Sequence, residues 1–163
     1  MVKVAYFDGA ELVFDTEEDL DEHKTAAAVE AFLALTAGDR IKDTRHVYAY
    51  YKDVHEATDG QDWLDEEMGV PATPEAIWSH VQPGMLGIWH GYGEDESVYV
   101  FAECNCDWDV EHGLLLVWRD GKVLNKAGEF DGHPTNANAY GDETLRDVVY
   151  HASNPAWSTR LDD

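Results

Sequence analysis

The feature that most constrains this chain is a change of hydrophobic period at Met85. Before it, apolar residues recur at three- and four-residue steps; after it they come in short runs broken by glycines. Helical stripes and strand runs bury different geometries, so the chain has to combine helices with a sheet. In the second half, 85–90, 97–106, 114–119 and 122–126 read as strands. Gly93, Gly113 and Asp120-Gly121 separate them, and the last pair is a tight-hairpin signal. Within the run Leu114-Leu115-Leu116-Val117-Trp118, Leu114, Leu116 and Trp118 share one face at period two. They are assigned with Trp108 to the sheet core.

The first half opens with 2–7 and 11–14 split by Asp8-Gly9, a β-hairpin pattern. Thr16 followed by Asp19 reads as a helix start, Ala26 to Leu35 as its apolar stripe and Gly38 as its C-terminal cap. Val47, Tyr48, Tyr51, Val54 and Ala57 predict a second helix over 45–57. Residues 58–72 read as a loop holding at most one helical turn. Thr73-Pro74-Glu75 opens a short helix that Pro83-Gly84 should end, and 143–150 predicts a closing helical turn. Helices first and antiparallel strands second make an α+β fold, and 44% hydrophobic residues in 163 suffice for one core. One domain over 1–163 is expected, with 153–163 as surface tail.

Charge narrows the function classes. Thirty-four acids against eleven Lys and Arg give −23, and from Asp53 to Trp118 there are fifteen acids and no Lys or Arg. Such a field repels nucleic acid and anionic membranes and attracts basic proteins or cations. It also serves solubility. No stretch approaches the ~18 apolar residues of a membrane span. The N-terminus lacks the apolar core and cleavage site of a secretory signal, and two cysteines one residue apart suit reduced thiols better than a disulfide. A cytoplasmic protein is expected.

Chemistry-bearing residues gather at Cys104-Asn105-Cys106-Asp107-Trp108-Asp109-Val110-Glu111-His112-Gly113-Leu114 and at Asp131-Gly132-His133. This block resembles the signature of a bacterial family of uncharacterised proteins, with the pattern C-x-W-E-x-E-H-G-L, an apolar strand and D-G-H. Tyr99-Val100, Arg45 to Asp53 and Ile77 to Val81 extend the resemblance over most of the chain after Ala26. Asp109 stands where the pattern has Glu, and Pro134 where it has an aliphatic residue. The family has no established reaction. Its resemblance to proteins encoded near toxin systems implies an immunity-type role, neutralising a basic toxin.

Four readings of the block compete. Cys104, Cys106, His112 and His133 combine the thiolates and imidazoles that zinc takes, but without the paired C-x-x-C knuckles of structural sites. Asp107, Asp109 and Glu111 alternate like calcium ligands, yet His112 and Trp118 fill the sixth and twelfth places and exclude an EF-hand. Glu111, His112, Asp131 and His133 supply acid–base groups for a small metal-dependent or acid–base enzyme, with no nucleophile elbow or phosphate loop beside them. The favoured reading is structural: both segments turn the chain, Asp131 holds the histidines, and Trp108 covers the turn while its N–H meets an acceptor. No cofactor is expected. For a basic partner the favoured surface is Asp62, Trp63, Asp65, Glu66 and Glu67, an aromatic ringed by acids.

Overall fold

The computed structural model describes residues 1–15, 22–58 and 61–162. The helix start expected at Thr16 and Asp19 lies outside them, as does Asp59. β1 (Val2–Val4) and β2 (Ala10–Asp15) form the expected hairpin, with Val2 opposite Leu12. Asp8 and Gly9 turn it at φ of 57° and 81°. Three helices follow: α1 (Glu22–Leu33), α2 (Ala37–Ala57) and α3 (Gln61–Met68). A 3₁₀ segment at Pro74–His80 leads into β3 (Val81–His90), β4 (Val98–Cys106), β5 (Leu114–Arg119) and β6 (Val123–Gly128).

The strands make one six-stranded sheet in the order β1-β2-β3-β4-β5-β6. The helices are the crossover between β2 and β3, the parallel pair, as parallel neighbours require. The other pairs are antiparallel. The fold is thus α+β, as the period change predicts, with the N-terminal hairpin joined to the same sheet. Among the described residues no helix is long and apolar enough to cross a membrane.

Both faces of β5 are covered, which is why its apolar run is unbroken. Leu114, Leu116 and Trp118 belong to the main core under the helices, in the predicted register, while Leu115 and Val117 join Tyr99 and Phe101 in a second cluster. Trp118 packs against Phe32 of α1 (ring centroids 4.7 Å apart) and Tyr6 (5.1 Å). The β5–β6 hairpin turns at Asp120-Gly121, with φ of 53° and 71°. A side chain on Gly121 would overlap the Ala28 carbonyl of α1, so glycine lets the turn and the helix touch.

Several local expectations change. Gly38 does not cap α1; it lies in the first turn of α2, whose start is set by Thr36. The Asp39 carboxylate accepts the Thr36 backbone N–H at 2.8 Å and its hydroxyl at 3.2 Å, so the helix begins eight residues before Arg45. Residues 61–68 are a helix where a loop is expected. Leu64 is 1% exposed and Met68 packs beside the core one turn on, leaving the acids outward. Pro83-Gly84 does not end a helix but sits inside β3 at a bulge, where a Gly84 side chain would press on the Glu103 carbonyl.

After α4 (Asn136–Tyr140), the expected closing helix is only a 3₁₀ turn at Glu143–Leu145, succeeded by β7 (Val148–Tyr150). β8 (Thr159–Arg160) pairs with β7, so residues after 153 run along the surface but are docked. Buried Asp53 of α2 holds them: its carboxylate accepts Tyr150 Oη–H at 2.6 Å and the Ser153 and Asn154 backbone N–H groups at 2.8 and 3.0 Å.

Candidate functional site: an acidic, tyrosine-walled cleft

A cleft of about 250 Å³ opens between α2, the end of β6 and the chain running from Asp131 to Ser153. Tyr50 and Asp53 face it from α2, one helical turn apart, and Tyr140 and Tyr150 face it from the C-terminal segment. Asp109 comes from the β4–β5 loop; Glu129 and Asp131 come from the turn after β6.

The β4–β5 loop is built around Asp109. Its carboxylate accepts the His112 backbone N–H at 3.2 Å and faces His112 Nδ1 at 3.0 and 3.1 Å. The Tyr50 hydroxyl lies 2.9 Å from Asp109 Oδ2 and 3.0 Å from the Gly113 carbonyl. Gly113 closes the loop at φ 68°, where a side chain would press on the Cys104 carbonyl. Trp108 covers the loop as expected, 3% exposed and edge-on to Tyr50, but its indole N–H has no acceptor among the described residues.

The second turn is tied to the first by the Phe130 N–H, which donates to the His112 carbonyl at 3.1 Å. Asp131 does not hold either imidazole ring. It pairs with Lys126, whose ammonium also donates to the His133 carbonyl at 2.9 Å, and it accepts the His133 backbone N–H at 3.1 Å. The Lys126 side chain is 2% exposed, and burial pushes its pKa down while Asp131 pulls it back up. The carboxylates holding His112 are Asp109 and, at 3.7 Å, Glu129. They raise its pKa, chiefly through the Asp109 hydrogen bond. The ring is half exposed rather than buried.

The negative field reaches the cleft walls. Burial raises the pKa of Tyr50, Tyr140 and Tyr150, and in each case Glu129 adds to the shift. All three are therefore neutral hydroxyls at physiological pH.

Cys104 and Cys106 are free, buried thiols, and burial pushes both up to about 12. Cys106 donates to the Asp109 carbonyl at 3.5 Å. The thiols and histidines do not meet: among the described residues, the group of three or more metal-type side chains that converges is Asp109, His112 and Glu129. Glu111 is exposed and is not one of that group. His133 brings only its backbone to the Lys126–Asp131 pair, and its buried Nδ1 has no partner among the described residues.

The candidate partner surface lies on α3. Trp63 is 59% exposed, Asp62, Glu66 and Glu67 are exposed, and half-buried Asp65 pairs with His55 at 2.9 Å.

Residues 1–134 match a family described as a domain of unknown function (DUF6985). The chain belongs to this family. That agrees with the uncharacterised family expected from the motif block. Comparison with curated proteins and with solved structures gave no match. The DUF6985 match takes in Tyr50, Asp109, His112, Lys126 and Glu129, and stops at Pro134. The cleft wall bearing Tyr140 and Tyr150 lies beyond it.

Sequence reasoning missed Tyr50, Asp53, Lys126 and Glu129 as cleft residues. Two signals pointed to all but Glu129. Asp53 is a charge three residues from Tyr50, beside the apolar stripe of α2, and Lys126 is a charge inside strand β6, next to Asn125.

Proposed function

We propose that this protein is a non-catalytic acidic binding module for a basic protein, working in the cytoplasm, with neutralisation of a basic toxin as the form its role takes. One observation carries the reading: α3 presents Trp63 to solvent instead of burying it. Leu64 anchors the helix at 1% exposure, yet the neighbouring indole stays 59% exposed between Asp62, Glu66 and Glu67. Exposing so large an apolar ring has a cost in water, and aromatic anchors rimmed by complementary charge recur at binding hot spots. The rim acids give salt-sensitive steering toward a basic surface. Two buried free thiols suit a reducing compartment.

The test is a fluorescence-anisotropy titration with a labelled peptide of alternating lysine and leucine. The parent binds with affinity that falls as salt rises. Trp63→Ala, at a position 59% exposed, loses about 2 kcal/mol, or roughly thirtyfold in Kd. Equal binding by the parent and Trp63→Ala overturns the reading, because attraction to net charge alone is indifferent to the indole.

A further inference from the structure

Asp109, His112 and Glu129 converge from two turns at the rim of the cleft. One ligand atom from each lies within 4.8 Å of the others. His112 Nδ1 is 3.0 and 3.1 Å from the two Asp109 oxygens and 3.7 Å from Glu129 Oε2. Metal bonds of about 2.0–2.2 Å to nitrogen and oxygen set adjacent donor atoms roughly 3.0–3.5 Å apart. The Asp109–His112 spacings match that polyhedron edge, and Glu129 Oε2 lies just beyond it at 3.7 Å from Nδ1.

The surroundings support the same arrangement. Tyr50 donates to Asp109 from the protein side at 2.9 Å, the place where an outer hydrogen bond orients a metal-binding carboxylate. The Phe130–His112 backbone bond fixes the two turns relative to each other. Asp109 and Glu129 both line the cleft, so coordination positions not taken by protein face an open cavity. The nearby cation, Lys126, is occupied by Asp131 and the His133 carbonyl.

We propose that Asp109, His112 and Glu129 form an open, three-ligand site for a divalent first-row transition ion of the Zn²⁺ type, with exchangeable positions directed into the cleft. An imidazole among carboxylates favours such an ion over Mg²⁺ or Ca²⁺, which take all-oxygen shells. Three protein ligands leave the ion open to a small molecule or a partner's side chain, unlike a closed structural site. The inference uses none of the α3 residues, so it stands or falls separately from partner binding through Trp63.

The experiment is calorimetric titration of Zn²⁺ into the full chain in excess Mg²⁺, which occupies weak acidic sites. One equivalent binds per chain; His112→Ala and Glu129→Gln each weaken it about tenfold or more, the loss of one ligand from a small set, while Glu111→Gln does not. Co²⁺ titration gives weak visible bands without thiolate charge-transfer absorption. Absence of saturable Zn²⁺ binding overturns the proposal. So does binding that survives both ligand variants, or falls equally in Glu111→Gln, since either result means surface acids at large. Thiolate charge transfer also overturns it, by placing the ion on Cys104 and Cys106.

Discussion

Replacing Asp53 with Asn should release the C-terminal segment from α2 and lower stability by about 3 kcal/mol. Asp53 is 4% exposed and accepts three donors: the Tyr150 hydroxyl and the backbone N–H groups of Ser153 and Asn154. Hydrogen bonds to a charged group contribute about 1.5–3 kcal/mol each. Asn keeps one acceptor oxygen but turns an N–H₂ group toward a remaining donor. The Ser153 and Asn154 bonds are only partly buried, so water recovers part of the loss and the sum stays well below three full bonds. For a chain of this length, 3 kcal/mol corresponds to roughly 6–12 °C in Tm. Tyr150→Phe removes one donor and should cost about 1 kcal/mol.

Urea unfolding followed by circular dichroism measures the global change, and limited proteolysis measures release of the segment after Tyr150. Asp53→Asn should expose that segment at protease levels that leave the parent intact. In the double variant with Tyr150→Phe the losses should fall short of additive, because both remove the same bond. An Asp53→Asn protein within about 0.5 kcal/mol of the parent and equally protected after Tyr150 would refute the argument.

Asp43 is pushed up to about 6 by burial, against the Tyr6 hydroxyl donating to it at 2.9 Å. The folded state therefore takes up this proton before the unfolded chain does. Asp43→Asn should stabilise by about 2–3 kcal/mol at pH 7–8, roughly two pKa units, with the gain vanishing as pH falls to about 4; a pH-independent gain in chemical unfolding would contradict this. Gly121→Ala combines left-handed backbone with overlap on Ala28, so its melt should fall by at least about 2 kcal/mol; a melt equal to the parent's means α1 does not rest on the hairpin. With a net charge of −23, Tm should rise from low to moderate NaCl as counterions relieve self-repulsion, and a flat curve contradicts that.

The strands were legible because their limits are chemical. Gly113 and Asp120-Gly121 supply left-handed turns, and alternation assigned Leu114, Leu116 and Trp118 to one face. α3 was harder: only Leu64 and Met68 mark its inner side, too few to show a helical period among acids and glycines. The start of α2 was signalled by Thr36 and Asp39 but obscured by Gly38, whose cap reading competes with the capping pair. At the rim, His112 and Asp109 were readable as neighbours in one loop, whereas Glu129 comes from a separate turn. The cleft itself depends on pairs such as Tyr50–Asp109 and Asp53–Tyr150, 59 and 97 residues apart. No local period encodes such pairs.

Charge placement connects the two proposed surfaces. Cations outside the Lys- and Arg-free stretch pair with acids both near and far along the chain: Lys126 binds Asp131 and Arg146 binds Glu143 at 2.9 Å locally, while Arg40 binds Asp8 at 2.9 Å and Arg146 reaches Asp95 at 3.5 Å. Within Asp53–Trp118, Asp95 is reached by Arg146 from outside the stretch, whereas Asp65, Asp107 and Asp109 are met by imidazoles, those of His55, His80 and His112, at 2.9–3.0 Å. An imidazole is a weaker and more conditional counter-charge than an ammonium or guanidinium group, because it loses its proton near neutral pH. A random scatter of the eleven Lys and Arg would have quenched the field around α3 and the β4–β5 loop. Their segregation leaves the sequence of α3 and of the β4–β5 loop free of Lys and Arg, so the acids there can attract an approaching basic side chain or divalent ion. Solubility requires only the net charge; a binding role also depends on where the cations are absent.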